Sequence, residues 1–112
     1  MKPVCDLTNK QCKPCEGGTP ALSQPAINGF LSQLEGWQQQ DQLISKTYSF
    51  KNYYQTIAFV NALAWMTHRE DHHPDLAVSY NSCRVAYSTH AVGGLSENDF
   101  ICAAKADALF KL

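Results

Sequence analysis

The stretch from Leu43 to Arg69, LISKTYSFKNYYQTIAFVNALAWMTHR, changes its pattern of apolar residues partway along. Up to Phe50, apolar and polar side chains alternate, which predicts a half-buried β-strand. From Asn52 onward the apolar residues recur at helical spacing, and the Asn52 side chain can cap the start of a helix. The stretch therefore predicts a strand followed directly by a helix that ends near Arg69.

Three neighbouring stripes of apolar side chains run along this predicted helix, and they begin at Tyr53, Tyr54 and Phe59. A helix that is apolar around so much of its girth contacts more than one surface. We therefore expect this helix to pack on the sheet and also to contact a second subunit.

The flanking sequence supplies the remaining elements. In chain order they are a helix from Ser23 to Gly36, a strand at Trp37–Gln40, the strand and helix described above, strands at Leu76–Tyr80 and Arg84–Ser88 joined by a turn at Asn81 and Ser82, and a helix that begins at Ser96. This order predicts an α+β fold, with a four-stranded antiparallel sheet and helices packed on one face.

Composition excludes several classes of protein. The 112 residues fit one domain, and a net charge of -1 leaves no basic excess to hold a nucleic-acid backbone. No apolar run approaches the roughly 18 residues of a membrane span, and the first residues lack the apolar core of a signal peptide. We therefore expect a cytoplasmic protein that binds neither nucleic acid nor membrane.

Residues 1–22 differ from the rest of the chain. They carry Cys5, Cys12 and Cys15, three of the five cysteines, and they show no regular period. We interpret them as an irregular N-terminal arm and residues 23–112 as the folded domain. On this interpretation, removing residues 1–20 would leave the fold and the activity intact.

The cysteines allow more than one interpretation. Cys12 and Cys15 form a CxxC motif that resembles half of a zinc site, but a second CxxC is missing. Cys83 and Cys102 have apolar neighbours, which is typical of core residues. In a reducing compartment, all five are expected to be free thiols.

All four histidines lie between positions 68 and 90, in the segments His68–Asp75 and Ser88–His90. Histidine is the side chain best suited to proton transfer near neutral pH, so a cluster of them indicates acid–base chemistry. Two alternatives remain open. A histidine at a helix end often only favours the helix dipole, and His68 and His72 have the spacing of a helical metal-ligand pair.

Asp99 also allows two interpretations. It stands three residues after Ser96, as in a capping box with Asp in place of the usual Glu or Gln, and it can equally serve a functional site.

These residues occur together in a recognisable order and spacing: His68, the run His72-His73-Pro74, Tyr80, His90 and Asp99. With the segments HHPD, STH and GLSENDF, they make the chain resemble the pterin-4a-carbinolamine dehydratase family from about residue 23 to the C-terminus. The sequence departs from the family at His68, often Glu there, and at Leu76, where many members carry an aromatic residue. Both departures can change substrate affinity.

The resemblance implies a specific reaction. The substrate would be 4a-hydroxytetrahydropterin, and elimination of water would give the quinonoid dihydropterin without any metal or redox cofactor. His72, His73 and His90 would be the catalytic residues. The substrate-binding residues implied are Asp71, Ser88, Thr89, His68 and Asp99. The sequence does not indicate which histidine is the acid and which is the base.

The resemblance also implies partners. The family assembles as homodimers or homotetramers and accompanies aromatic amino-acid hydroxylases in tetrahydrobiopterin recycling. The alternative functions are a non-catalytic pterin-binding protein, a dimerisation cofactor for another protein, and a role in molybdenum-cofactor metabolism.

Overall fold

A computed structural model describes residues 7–14 and 20–111 of the chain. The main elements are α1 (Gln24–Leu31), β1 (Gln38–Gln40), β2 (Leu43–Ser49), α2 (Tyr53–Glu70), β3 (Asp75–Val78), β4 (Ser82–Tyr87) and α3 (Glu97–Phe110). Two short 3₁₀ helices lie at Leu7–Asn9 and His90–Val92. The order of the main elements confirms the predicted α+β class. Among the described residues, no helix combines the length and apolar character that crossing a membrane requires.

The four strands form one antiparallel sheet in the order β1-β2-β4-β3. Tyr48 on β2 lies opposite Cys83 on β4, so both side chains point to the same face, and both are buried. The Tyr48 ring lies 4.7 Å from that of Phe59 on α2 and 4.9 Å from that of Phe110 on α3. The two long helices therefore cover this face of the sheet, as the sequence predicted.

The helix starts follow the predicted caps. The Ser23 hydroxyl accepts a hydrogen bond from the Ala26 N–H at 3.3 Å, and the Asn52 side chain accepts one from the Gln55 N–H at 2.9 Å. The predicted end of the first helix at Gly36 is wrong. The chain leaves helical geometry after Leu31 through tighter turns, and Gly36, with a φ of 84°, lies in the loop that leads to β1.

The β3–β4 hairpin lies slightly N-terminal to its predicted position. The Ser79 N–H donates to the Ser82 carbonyl at 2.9 Å, and the two hydroxyls lie 2.6 Å apart. Because these bonds close the hairpin over residues 79–82, Ser82 pairs as the first residue of β4 and does not form the turn. Both strands consequently begin and end one or two residues early.

α3 is buried without interruption from Asn98 to Ala104. The sheet and α1 account for part of this burial, since Phe30 stacks on Phe100 with ring centroids 5.1 Å apart. The rest comes from the N-terminal arm, where Leu7 is only 4% exposed and joins the core. This packing weighs against the expectation that residues 1–20 are dispensable.

Candidate active site

The turn after α2 sets the direction of the histidine pair. Asp71 follows the helix in the left-handed conformation, with a φ of 55°, which Asp tolerates better than most residues. The Asp71 N–H donates to the His68 carbonyl at 3.3 Å, and the His72 N–H donates to the Thr67 carbonyl at 3.2 Å. These two bonds form a Schellman motif, and they end the helix before His72.

His72 is fixed on two sides. Its Nε2 lies 2.6 Å from Oδ1 of Asp99, a carboxylate with no exposed surface. Its ring also stacks on Tyr87, with centroids 5.6 Å apart and planes 9° from parallel. With Nε2 committed to Asp99, Nδ1 is the imidazole nitrogen left for a bound molecule.

The second oxygen of Asp99 is bonded as well. Oδ2 accepts from the Thr89 hydroxyl at 2.7 Å and from the Ser96 N–H at 3.0 Å. Because Thr89 gives its only hydroxyl proton to Asp99, the Ser96 hydroxyl, 2.8 Å away, donates to Thr89. Asp99 therefore completes the predicted capping box, and its other oxygen holds His72.

His90 reaches the same region from the end of β4. The Thr89 N–H donates to the Gly94 carbonyl at 2.8 Å, which ties the base of a short loop. The loop contains the 3₁₀ helix His90–Val92 and turns back at Gly93, whose φ of 68° favours glycine. This closed loop presents His90 to solvent.

A cavity of about 340 Å³ lies between these elements. Six of the predicted site residues line it: Asp71, His72, His73, Ser88, Thr89 and His90. Asp99 stands behind His72 and does not line the cavity itself. The structure therefore brings together the two histidine segments that are separate in the sequence.

His68 lies elsewhere. It is on the exposed side of α2, where its ring packs 6.2 Å from that of Trp65, and it is not among the residues that line the cavity. Since α2 ends before His72, His68 and His72 do not share a helix face. Within the described residues, no group of three metal-ligating side chains lies together.

Sequence reasoning missed six residues of the cavity wall: Lys13, Pro14, Asp75, Ala86, Ala91 and Asn98. Asp75 directly follows the HHP run, so its place in the sequence was a usable signal. Lys13 and Pro14 belong to the arm, where no period or motif indicated a contact with the site. Of the predicted CxxC motif, Cys12 is described, whereas Cys15, like Cys5, lies outside the described residues.

Glu70 links the end of α2 to the arm and to α3. It accepts from the Cys12 N–H at 2.8 Å and from the Lys105 ammonium at 2.6 Å. Burial alone would raise the pKa of the Glu70 carboxyl, but these two donors outweigh it and hold the pKa below its usual value. Glu70 therefore remains a charged anchor beside the site.

Cys83 and Cys102 are buried in the core, as predicted. The Cys102 sulfur lies 3.5 Å from that of Cys12. The hydrogen bond to Cys102 and the burial of the thiol raise the pKa of Cys12, so the Cys12 sulfur stays protonated at neutral pH.

Comparison with known proteins identifies one family. The family model described as pterin 4 alpha carbinolamine dehydratase matches residues 20–109. A protein of Nitrosomonas europaea named for the same dehydratase is 67% identical over 112 residues, which is 99% of each chain. A counterpart from Dechloromonas aromatica is 52% identical over the full length of both chains.

Solved structures show the same fold. The crystal structure of a transcriptional coactivator/pterin dehydratase from Brucella melitensis has a TM-score of 0.77 and 30% identity, over 80% of this chain and 97% of that one. A pterin dehydratase-like protein identified as a RuBisCO assembly factor has a TM-score of 0.55 and 27% identity, over 65% of this chain and 84% of that one. The match to the family model and the identity with these relatives confirm the resemblance that the histidine segments indicated. The chain belongs to the pterin-4a-carbinolamine dehydratase family.

Proposed function

We propose that this protein is a hydro-lyase that eliminates water from 4a-hydroxytetrahydropterin to give the quinonoid dihydropterin. The observation that carries the proposal is the His72–Asp99 pair beside a cavity that His73 and His90 also line. The cavity, of about 340 Å³, falls in the size range of small-molecule sites.

The reaction needs two proton transfers. The bond from C4a to its hydroxyl oxygen breaks, the departing hydroxyl takes up a proton to leave as water, and a neighbouring ring nitrogen loses a proton. Histidines that reach the substrate directly can perform both transfers.

His72 is best suited to the role of the base. A carboxylate that accepts from one imidazole nitrogen fixes the tautomer and leaves the other nitrogen free to take a proton. The bond between Nε2 and Asp99 places His72 in that situation, with Nδ1 as the reacting atom. Burial of Asp99 keeps water from competing for this bond.

His73 and His90 are the candidates for the acid. Both are exposed at the cavity, and the closest hydrogen-bonding contact of His73 is a weak one to the Pro74 carbonyl at 3.3 Å. A ring not held by a strong bond can turn toward the departing hydroxyl. Asp71, Ser88 and Thr89 would line the bound pterin, and Asp99 would act through His72.

The test is dehydration of freshly generated 4a-hydroxytetrahydropterin, followed by absorbance, in wild type, His72→Ala and His68→Ala. We expect wild type and His68→Ala to accelerate the spontaneous reaction equally, because His68 lies outside the cavity. We expect His72→Ala to lose on the order of 10² or more in rate.

Two results would overturn the proposal. Folded wild type that does not accelerate the reaction would exclude the dehydratase function. A folded His72→Ala variant with a near-normal rate would exclude His72 as the base.

A second candidate function is protein binding. The exposed side of α2 carries Tyr54 and Trp65, which are 81% and 64% exposed, and aromatic side chains of this kind are enriched at interfaces. We infer that this surface joins two copies of the chain into a homodimer or homotetramer. As a dehydratase, the protein would support an aromatic amino-acid hydroxylase by helping to recycle tetrahydrobiopterin.

A further inference from the structure

Two cysteines that the proposed reaction does not use lie against each other beside the active site. The sulfur of Cys12, on the N-terminal arm, is 3.5 Å from that of Cys102, in the middle of α3. The two residues are 90 positions apart in the chain, so it is the fold that brings them together. A disulfide bond joins sulfurs that are about 2.05 Å apart. Rotation of the two side chains can therefore close the remaining gap.

The arm is held in place around Cys12. The Cys12 N–H donates to the carboxylate of Glu70, the last residue of α2, at 2.8 Å. The Lys13 N–H donates to Oδ1 of Asn98 at 3.0 Å, and the Lys13 carbonyl accepts from Nδ2 of Asn98 at 2.6 Å. Leu7, earlier in the arm, is buried in the core. These three attachments keep the two sulfurs in contact.

The two sulfurs differ in their access to solvent. Cys12 is half-buried, whereas Cys102 has no exposed surface and lies 3.8 Å from the His72 carbonyl. A reagent in solution can therefore reach the Cys12 sulfur, and the Cys102 sulfur can react only through Cys12. An accessible cysteine beside a second, resolving cysteine is the arrangement found at sites of reversible thiol oxidation.

We propose that Cys12 and Cys102 are a thiol-oxidation site, at which a low-molecular-weight disulfide creates a disulfide bond between the arm and α3. First, the Cys12 thiolate attacks one sulfur of the reagent, whose sulfur–sulfur bond breaks and releases one thiolate. Next, the Cys102 sulfur attacks the Cys12 sulfur and releases the second thiolate. The protons lost by the two cysteines pass to the released thiolates. The cysteines are thereby oxidised, and the reagent is reduced to two thiols.

The contact between the sulfurs also controls the rate of the first step. The hydrogen bond to Cys102 and the burial of the thiol raise the pKa of Cys12, so its thiolate is scarce while the arm is docked. Most of residues 8–14 are exposed, which is typical of segments that open locally. The first step therefore takes place when Cys12 briefly leaves α3. Docking of the arm then brings the mixed disulfide to Cys102.

The disulfide would fix one wall of the cavity. Lys13 and Pro14, which line the cavity together with His72, directly follow Cys12 in the chain. In the reduced protein, hydrogen bonds and packing hold this wall, and they can open. In the oxidised protein, a covalent bond holds it. Because the bond also closes a long loop in the unfolded chain, oxidation should raise the melting temperature.

The experiment incubates the folded, full-length protein with oxidised glutathione. The protein is then unfolded, its remaining thiols are alkylated, and each disulfide is assigned by mass spectrometry with peptide fragmentation. We expect Cys12 to be linked to Cys102 and Cys83 to be alkylated. We expect oxidation to raise the melting temperature by at least about 5 °C. Cys83→Ala, a matched loss of a buried thiol, should show the same rise, whereas Cys12→Ser should show neither the link nor the rise.

Several results would overturn the inference. Glutathione that remains on Cys12 beside a free Cys102 would show that the two sulfurs cannot close. A link from Cys12 to another cysteine in place of Cys102, or two cysteines that both stay free, would exclude the site. An equal rise in melting temperature in Cys12→Ser would show that this bond does not stabilise the fold. None of these measurements depends on dehydration, so they test the inference separately from the proposed function.

Discussion

Asp99 and Asp107 are two carboxylates on α3 that serve different purposes. Asp99 holds His72 at the cavity. Asp107 lies two turns further on and accepts from the Trp37 indole N–H, the Lys46 ammonium and the Tyr48 hydroxyl. Both are held by several donors, but only Asp99 contacts a proposed catalytic residue. Variants of the two residues can therefore separate the proposed chemical role of Asp99 from the structural role of Asp107.

Replacing Asp99 by Asn should impair catalysis more than folding. An amide in this position can present an N–H to Nε2 of His72, which would move the imidazole proton to Nδ1 and remove the base. We expect a rate lower by about 10² to 10³, to be measured by dehydration kinetics alongside urea unfolding.

Asp107→Asn is the control for Asp99→Asn. It should lower the free energy of unfolding by about 1–3 kcal/mol and leave the rate nearly unchanged, because it weakens bonds remote from the cavity. Equal losses of rate in the two folded variants would show that Asp99 acts through the stability of α3 and not through His72.

At the scale of elements, the sequence was sufficient where local chemistry decides the structure. Ser23 and Asn52 start helices because their side chains bond the first N–H groups, and this depends only on near neighbours. The alternation along β2 depends likewise on one buried face, so the pattern gave its start at Leu43 and placed its end one residue beyond Ser49.

The sequence was insufficient to predict features that depend on contacts between residues far apart in the chain. Three apolar stripes were visible on α2, but the stripe that is buried in the core is the one with Phe59, Leu63 and Met66, and Val60 of a neighbouring stripe is only partly buried against it. The bond between His72 and Asp99 joins residues 27 positions apart. Lys13 reaches the cavity through Asn98, which is 85 positions away. No local pattern carries information about such pairs.

The exposed side of α2 gives a prediction about assembly. Trp65 and Tyr80 are nearly equally exposed, at 64% and 63%, but Trp65 lies on α2 and Tyr80 on the loop between β3 and β4. We expect Trp65→Glu to shift the protein toward monomers, because a charge buried in an apolar interface is costly. Light scattering after size-exclusion chromatography would measure the mass.

Tyr80→Glu is the matched control and should keep the mass of wild type. A Trp65→Glu variant that also keeps the mass of wild type would exclude this side of α2 as the subunit contact. A monomeric wild type would exclude it as well.

At the scale of the whole molecule, several ionisable groups are packed into the core. Burial raises the pKa of Tyr87, and burial followed by the nearby Asp107 carboxylate raises that of Tyr48. The hydrogen bond to Cys102 and burial raise the pKa of Cys12. In the unfolded chain these groups release their protons near their ordinary values of 9.0 for Cys and 10.0 for Tyr. The folded protein keeps those protons at higher pH.

The sign of the pH dependence follows from these shifts. Above about pH 9 to 10, the unfolded chain binds fewer protons than the folded protein, so the free energy of unfolding falls as the pH rises. A fully buried group with a raised pKa contributes a slope of about 1.4 kcal/mol per pH unit in this range. Stability contributed by these groups is therefore complete below pH 9 and is lost progressively above it.

Tyr87→Phe isolates one of these groups. The Tyr87 side chain is fully buried, and its hydroxyl has no hydrogen-bond partner among the described residues, so removing it costs no bond there. We expect the variant to be at least as stable as wild type at pH 7, and its stability to fall less between pH 10 and 11, by about 1 kcal/mol over that unit. Urea unfolding at each pH gives both values. Tyr80→Phe, at a side chain that folding leaves 63% exposed, should keep the slope of wild type. If the stability of Tyr87→Phe instead falls as steeply with pH as that of wild type, the Tyr87 phenol ionises equally in the folded and the unfolded state. Its packing against the His72 ring would then have to open before the protein unfolds.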